Sequence, residues 1–407
     1  MPIKITKPLI SVILSITAFI VIVVVLNIQG LIPEDQPVQA TPEPKETKKE
    51  TTDISIADID ISGSIIYSEN GDLYSYQPSS NQKTALVQSQ TNLTHPGVLP
   101  DGRLYAFQNT TDATNPVYSR FYLQDNQTFT RYNLPMISGD RGDASANPPI
   151  ISPDGKTVFF TSTRNADTNV KRYALFQYNL ETYELKQLTQ NQLMNIQKTL
   201  ISPNNNLIGF TYQTLEVGQP PSALSLGLII AGTPSVNLYP NITITSGPVQ
   251  FGPNSETIIF NSDSDIIIFN VSSGKIADTI KDAQMITSTQ SGTILAISKA
   301  NRSDLEFLEA CTEDKAILKQ PLNLIKAYQL NQDDKTVEEI STYIPEDQYI
   351  SSPSTQHNAI TNTDSNQLIT LLQDSKTCEP TLAITDLTQE TTTPIDIQLK
   401  NPLFWVN

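Results

Sequence analysis

Residues 149–162 read Pro-Ile-Ile-Ser-Pro-Asp-Gly-Lys-Thr-Val-Phe-Phe-Thr-Ser. Pro153-Asp154-Gly155 is turn chemistry, because proline fixes φ and glycine tolerates φ > 0. Ile150-Ile151 before it and Val158-Phe159-Phe160 after it are β-formers, so the stretch reads strand, turn, strand. Residues 173–180 supply a third strand, Glu181-Thr182 turns the chain, and residues 183–189 supply a fourth. The unit is a four-stranded antiparallel meander.

The unit repeats along the chain. Residues 96–107, 200–210 and 248–260 open further copies, and weaker ones begin near Met285 and Tyr349. The turn residues Asp101, Asp154, Asn204 and Asn254 are 53, 50 and 50 residues apart. That period suits the blades of a β-propeller. The two ends are partial copies. Residues 64–76 begin at the second strand of the unit, and residues 401–407 resemble an isolated first strand. Closure by a C-terminal strand completing the N-terminal blade reconciles them, and a closed ring leaves only short sheet edges. The expected fold is all-β: a seven-bladed propeller over 54–407. The blades lie near 61–90 plus 402–406, 96–135, 148–189, 196–240, 246–280, 284–341 and 349–398. Six or eight blades stay open, because the copies after residue 280 are degraded.

The run ISPDGKTVFFTSTR at 151–164, followed by LFQYNLETYELKQLT at 175–189, resembles the TolB-type, WD40-like (PD40) propeller repeat. Residues 148–189 match it well, and 96–107 and 196–210 match in part. Asn204 stands where the repeat has the Asp of its turn, and Thr289-Gln290-Ser291-Gly292 keeps little of it. The resemblance implies a rigid ring whose end-face loops bind other molecules. It implies no single activity, since such propellers serve as adaptors, peptidase gates and lyases.

Residues 9–28, LISVILSITAFIVIVVVLNI, carry no charge across twenty positions. At 1.5 Å per residue they span roughly the 30 Å hydrocarbon core of a bilayer. Lys4 and Lys7 precede them and Glu34 and Asp35 follow, which places residues 1–8 in the cytoplasm. The expectation is an uncleaved transmembrane signal anchor in the plasma membrane with an extracytoplasmic propeller. A cleaved signal peptide is the competing reading, with Val38-Gln39-Ala40 as its only tolerable site. Residues 29–53 hold Pro33, Pro37, Pro42 and Pro44 in a Lys/Glu/Thr mixture that cannot bury a core, and read as a stalk.

Composition removes several functions. The chain has 407 residues, 42 acids, 26 bases and a formal charge of −16. It lacks the positive footprint for phosphate backbones, so nucleic acid is not an expected partner. Two Cys and two His leave little for a metal centre. No G-x-S-x-G elbow exists, and no D-x-D-x-D-G calcium loop. No catalytic residue and no cofactor is expected. The carboxylates at Asp58, Asp60, Asp263, Asp265, Asp333, Asp334, Glu338 and Glu339 read as solvated turn or strand groups. Arg141-Gly142-Asp143 reads as an exposed loop tripeptide. The sequons at Asn92, Asn109, Asn126, Asn241, Asn270 and Asn301 are as many as the composition yields.

Three residues stand out. Cys311 and Cys378 read as occupants of third-to-fourth-strand loops in neighbouring blades, and an oxidising compartment permits a disulfide between them. His95, in Asn92-Leu-Thr-His-Pro96, reads as a loop residue on the ligand-binding ring face, and His357 as a polar turn residue. The leading functional expectation is a non-catalytic binding or scaffolding propeller at the cell envelope, holding a surface protein or a glycan on one ring face. Its acidity favours basic or cation-bridged partners. The alternative is a polysaccharide lyase or hydrolase at the ring mouth. A laterally packing surface protein is the third reading.

Overall fold

A computed structural model describes residues 50–57, 61–88, 92–109, 118–134, 148–163, 172–190, 194–215, 220–233, 235–245, 247–289, 291–300, 322–343, 348–350, 360–361, 367–374, 380–386, 389, 391–395 and 403–405. All of these are irregular or β, and they belong to the unit Glu46–Asn407. Residues 9–28 lie outside them. Among the described residues no helix is long and apolar enough to cross a membrane.

Among the described residues the strands fall into seven antiparallel sheets in chain order. Sheet I holds Ile65–Glu69, Asp72–Gln77 and Gln82–Val87; Leu403–Trp405 pairs with Ile65–Tyr67 as its first strand. Sheet II holds Leu93–Val98, Leu104–Asn109, Tyr118–Asp125 and Thr128–Asn133. Sheet III spans 150–187, IV 194–244, V 249–280, VI 283–343 and VII 348–394. In each, the first to fourth positions pair in order, as a meander. Sheets follow one another side by side. The third strand of VI lies beside the first of VII, Ile360–Thr361 of VII lies beside Leu403–Trp405, and Leu403–Trp405 lies beside Leu93–Val98. A succession of meanders closed in this way is a β-propeller.

Among the described residues each core sits between two neighbouring sheets of I to VI, and one strand serves two cores. In sheet III the strand Thr157–Ser162 is buried from Val158 onward. Phe160 packs toward sheet II with Phe107, Phe121 and Phe176. Phe159, one residue away, packs toward sheet IV with Ile208 and Phe210. In sheet V, Ile258 and Phe260 face sheet IV, while Ile259 faces sheet VI. Alternate side chains point to opposite faces of a strand, and both faces are covered, so burial is continuous. The fourth strand of sheet V shows the reverse: Lys275, Ile276 and Ala277 are exposed at its outer edge.

Three placements differ from the sequence reading. First, a strand begins at Glu50, inside the segment read as stalk. Glu50–Ser55 pairs with Thr128–Asn133 on the outer edge of sheet II, where Thr51, Thr52 and Ile54 suit a strand. Second, Leu322–Leu330 is the third strand of sheet VI and Val337–Tyr343 the fourth. Third, Gln348–Ile350 and Ile360–Thr361 both pair with Gln367–Asp374, which is therefore the second strand of VII. The loops holding Cys311 and Cys378 are thus second-to-third connections, not third-to-fourth. In sheet VII the short, split first strand hid this shift from the period. The two loops still correspond in neighbouring sheets, and both cysteines lie outside the described residues.

Close approach fixes one glycine. A Cβ on Gly227 would stand 2.2 Å from the ring of Phe210, which is fully buried. Gly227→Ala should cost about 1–3 kcal/mol through overpacking, read as a lower denaturant midpoint with an unchanged m-value.

Candidate functional site

The repeated turns between first and second strands gather at one end of the sheets. In sheet III, Asp154 Oδ1 accepts from Lys156 N at 3.0 Å and from Ser152 Oγ at 2.5 Å, and Thr157 N donates to Ser152 Oγ at 2.9 Å. Gly155 takes φ +72°. Sheet IV repeats every bond with Asn204 in place of Asp: Asn206 N donates to Asn204 Oδ1 at 3.0 Å and Leu207 N to Ser202 Oγ at 2.9 Å. Asn254 and Asp101 accept in the same way from Glu256 N and Arg103 N. In sheet VI, Thr289 and Ser291 replace the pair. An amide oxygen serves this turn as well as a carboxylate does, because the role is to accept backbone N–H bonds.

Neighbouring turns also touch. A Cβ on Gly155 would meet Arg103 and Leu99 of sheet II. Asn205 Nδ2 donates to Asp154 Oδ2 at 3.2 Å, and Asn204 N to Ser255 Oγ at 3.2 Å. The turns between third and fourth strands join the same end, since Leu180 N, Ala231 N, Val271 N and Leu330 N bond to Lys156, Asn206, Glu256 and Gly292 carbonyls.

Sheet II departs from that pattern, and a cleft of about 570 Å³ lies there. Leu104 N donates to the side-chain Oε1 of Gln124 at 2.9 Å, and Gln124 Nε2 donates to Asn126 O at 2.9 Å. Asp101, Arg103, Asp125, Asn126 and Tyr132 line the cleft with Gln124. Arg103 holds Asp101 Oδ2 at 2.7 Å through Nε. Desolvation pushes the Tyr132 phenol up; Tyr183, Asp125 and Glu181 add to this, and Arg103 opposes it. The cleft offers hydrogen-bond donors and acceptors side by side.

The residues singled out from sequence do not converge here. His95 lies within a strand, Leu93–Val98, not in a loop. It sits at a register break between Thr94 and Gly97, with φ +49° and Nδ1 3.1 Å from Thr94 Oγ1. That is the start of the strand, away from the turn at 99–103. Asp265 accepts from Lys281 at 2.6 Å and from Asp282 N, and Lys281 above all holds its carboxyl below the usual range. Asp263 forms the hairpin turn with φ +53°. Thr336 bonds hold Asp334 low, and Glu339 pairs with Lys326 at 2.8 Å. Asp58, Asp60, His357 and 141–143 lie outside the described residues. The sequence reading missed Arg103, Gln124 and Tyr132. Only the Arg after Asp101-Gly102, where the sister turns have Lys156 and Asn206, marks the place.

No protein-family model matches the chain. No curated protein matches it. Burial lowers the His95 pKa to about 4, so the folded state favours neutral imidazole. Between pH 6.5 and 4 the unfolded chain takes up a proton that the folded chain refuses. Stability therefore falls as pH drops through that window, by on the order of 3 kcal/mol. His95→Gln should flatten this slope in denaturant titrations run at pH 4 to 7.

Among solved structures the chain is similar to a puromycin hydrolase mutant complexed with PGG, at 8% identity and TM-score 0.53, over 87% of this chain and 54% of that one. It spans about half the length of that hydrolase. It is also similar to TolB from Acinetobacter baumannii, at 13% identity and TM-score 0.41, over 84% of this chain and 81% of that one. A third is an oligogalacturonate lyase in complex with manganese, at 12% identity and TM-score 0.48, over 86% and 85%. At such identities the likeness concerns the fold, a β-propeller.

Proposed function

We propose that this chain is a non-catalytic, seven-bladed binding propeller that presents the turn end of its sheets to an envelope protein or a glycan. Residues 9–28 would hold it in the plasma membrane, with the propeller outside. One observation carries the binding reading. Five described carboxylates are used as turn acceptors or ion-pair partners: Asp101, Asp154, Asp265, Asp334 and Glu339. General acid–base work needs a carboxyl or imidazole poised near neutral pH. Asp265 and Asp334 are held low, and His95 is held neutral.

Crosslinking mass spectrometry of the full-length chain in native membranes tests the reading, together with an assay for polysaccharide depolymerisation. The expected result is links through the exposed Lys156 at the turn end, few through Lys281 at the other end, and no depolymerisation. Depolymerisation lost in His95→Gln would establish the lyase or hydrolase reading instead. Links confined to the Lys281 end would move the binding face.

A further inference from the structure

The sheet II cleft has a chemistry of its own. Asp101 and Arg103 neutralise each other at 2.7 Å, yet each keeps unused hydrogen-bonding edges. Asp125 and Asn126 are exposed at the rim, and the buried Tyr132 also lines the cleft. Gln124 is committed to Leu104 N and Asn126 O, so it braces the two turns and holds the cleft in shape. The volume of about 570 Å³ falls within the range of small-molecule sites, about 300–1,000 Å³. No excess of positive charge is present to hold an anion, and a chain at −16 repels one.

On the reading of the chain as a binding module, we propose that this cleft takes a neutral, hydroxyl-rich ligand: a short uncharged oligosaccharide. A sugar hydroxyl donates and accepts at once. It can donate to Asp101 or Asp125 while accepting from Arg103, Asn126 or Tyr132. Hydrogen bonds to ionised groups are the stronger kind, and a site braced before binding loses little entropy on closing around its ligand. A basic peptide would satisfy the carboxylates but leave the Arg103 edge facing like charge. An acidic glycan would face Asp101 and Asp125.

Calorimetric titration of the full-length chain with neutral tetrasaccharides (malto-, cello-, chito- and manno-), tetragalacturonate and tetralysine tests this. Asp101→Asn keeps its turn, since Asn204 and Asn254 hold the same turn in sister sheets. Asp101→Asn and Asp125→Asn should each weaken binding of a neutral tetrasaccharide about tenfold with an unchanged unfolding midpoint. Asp265→Asn, at the other end, should bind as the parent does. Neutral-sugar binding that both cleft variants leave intact would overturn the proposal. So would tetralysine or tetragalacturonate binding that both variants abolish. If no neutral sugar binds while turn-end crosslinks persist, the ligand class is wrong and the binding module stands. If crosslinks and sugar binding are both absent, both readings fall.

Discussion

Everything in this fold depends on the sharing of one strand between two cores. Phe159 and Phe160 are adjacent in sequence and belong to different hydrophobic clusters, one toward sheet IV and one toward sheet II. Each described cluster draws on two neighbouring sheets, never on one alone. Each sheet is stable only when both neighbours are in place, as in other repeat architectures where stacking completes the core. Ring closure follows as a necessity. Without Leu403–Trp405 against Ile65–Tyr67, sheet I would lack its first strand and leave an open edge.

The same constraint explains why the ends of the sheets are free for function. Inner strands are buried on both faces and tolerate little change; Gly227 against Phe210 shows how little. The turns answer to backbone geometry alone. Asp154, Asn204, Asn254 and the Thr289/Ser291 pair satisfy the same N–H groups with different side chains. Variation is therefore cheap at the turn end, and binding residues collect where substitution is tolerated.

How much was legible in sequence follows from the same division. The strand–turn–strand unit showed where proline, a turn-forming Asp, Asn or Gly and β-branched or aromatic residues recur together, as in sheets II to V. The partial units at 64–76 and 401–407 pointed to the pairing at Ile65–Tyr67 for that reason. Sheets VI and VII were misregistered by one strand. Thr289 and Ser291 make the same turn with different atoms, and Gln348–Ile350 with Ile360–Thr361 share one strand position. The cleft left almost no trace. Its brace, Gln124, is a common residue at the end of a strand, and what sets it apart is a bond to Leu104 N that no spacing encodes.

Sheet II concentrates the departures from the repeat. Its outer edge gains Glu50–Ser55 as a fifth strand, and Ile56 N bonds to Gln127 O at 2.9 Å. That contact holds from outside the very hairpin whose turn, Asp125-Asn126, forms the rim of the cleft. On the inside, Gln124 ties the same hairpin to the Asp101–Arg103 turn. Beside it, Gly155 of sheet III leaves room for the Arg103 guanidinium where any Cβ would collide. A hairpin restrained from two sides, beside a turn held by its neighbour, has little freedom left to lose when a ligand arrives. That is the condition under which a few hydrogen bonds in an open cleft can give measurable affinity.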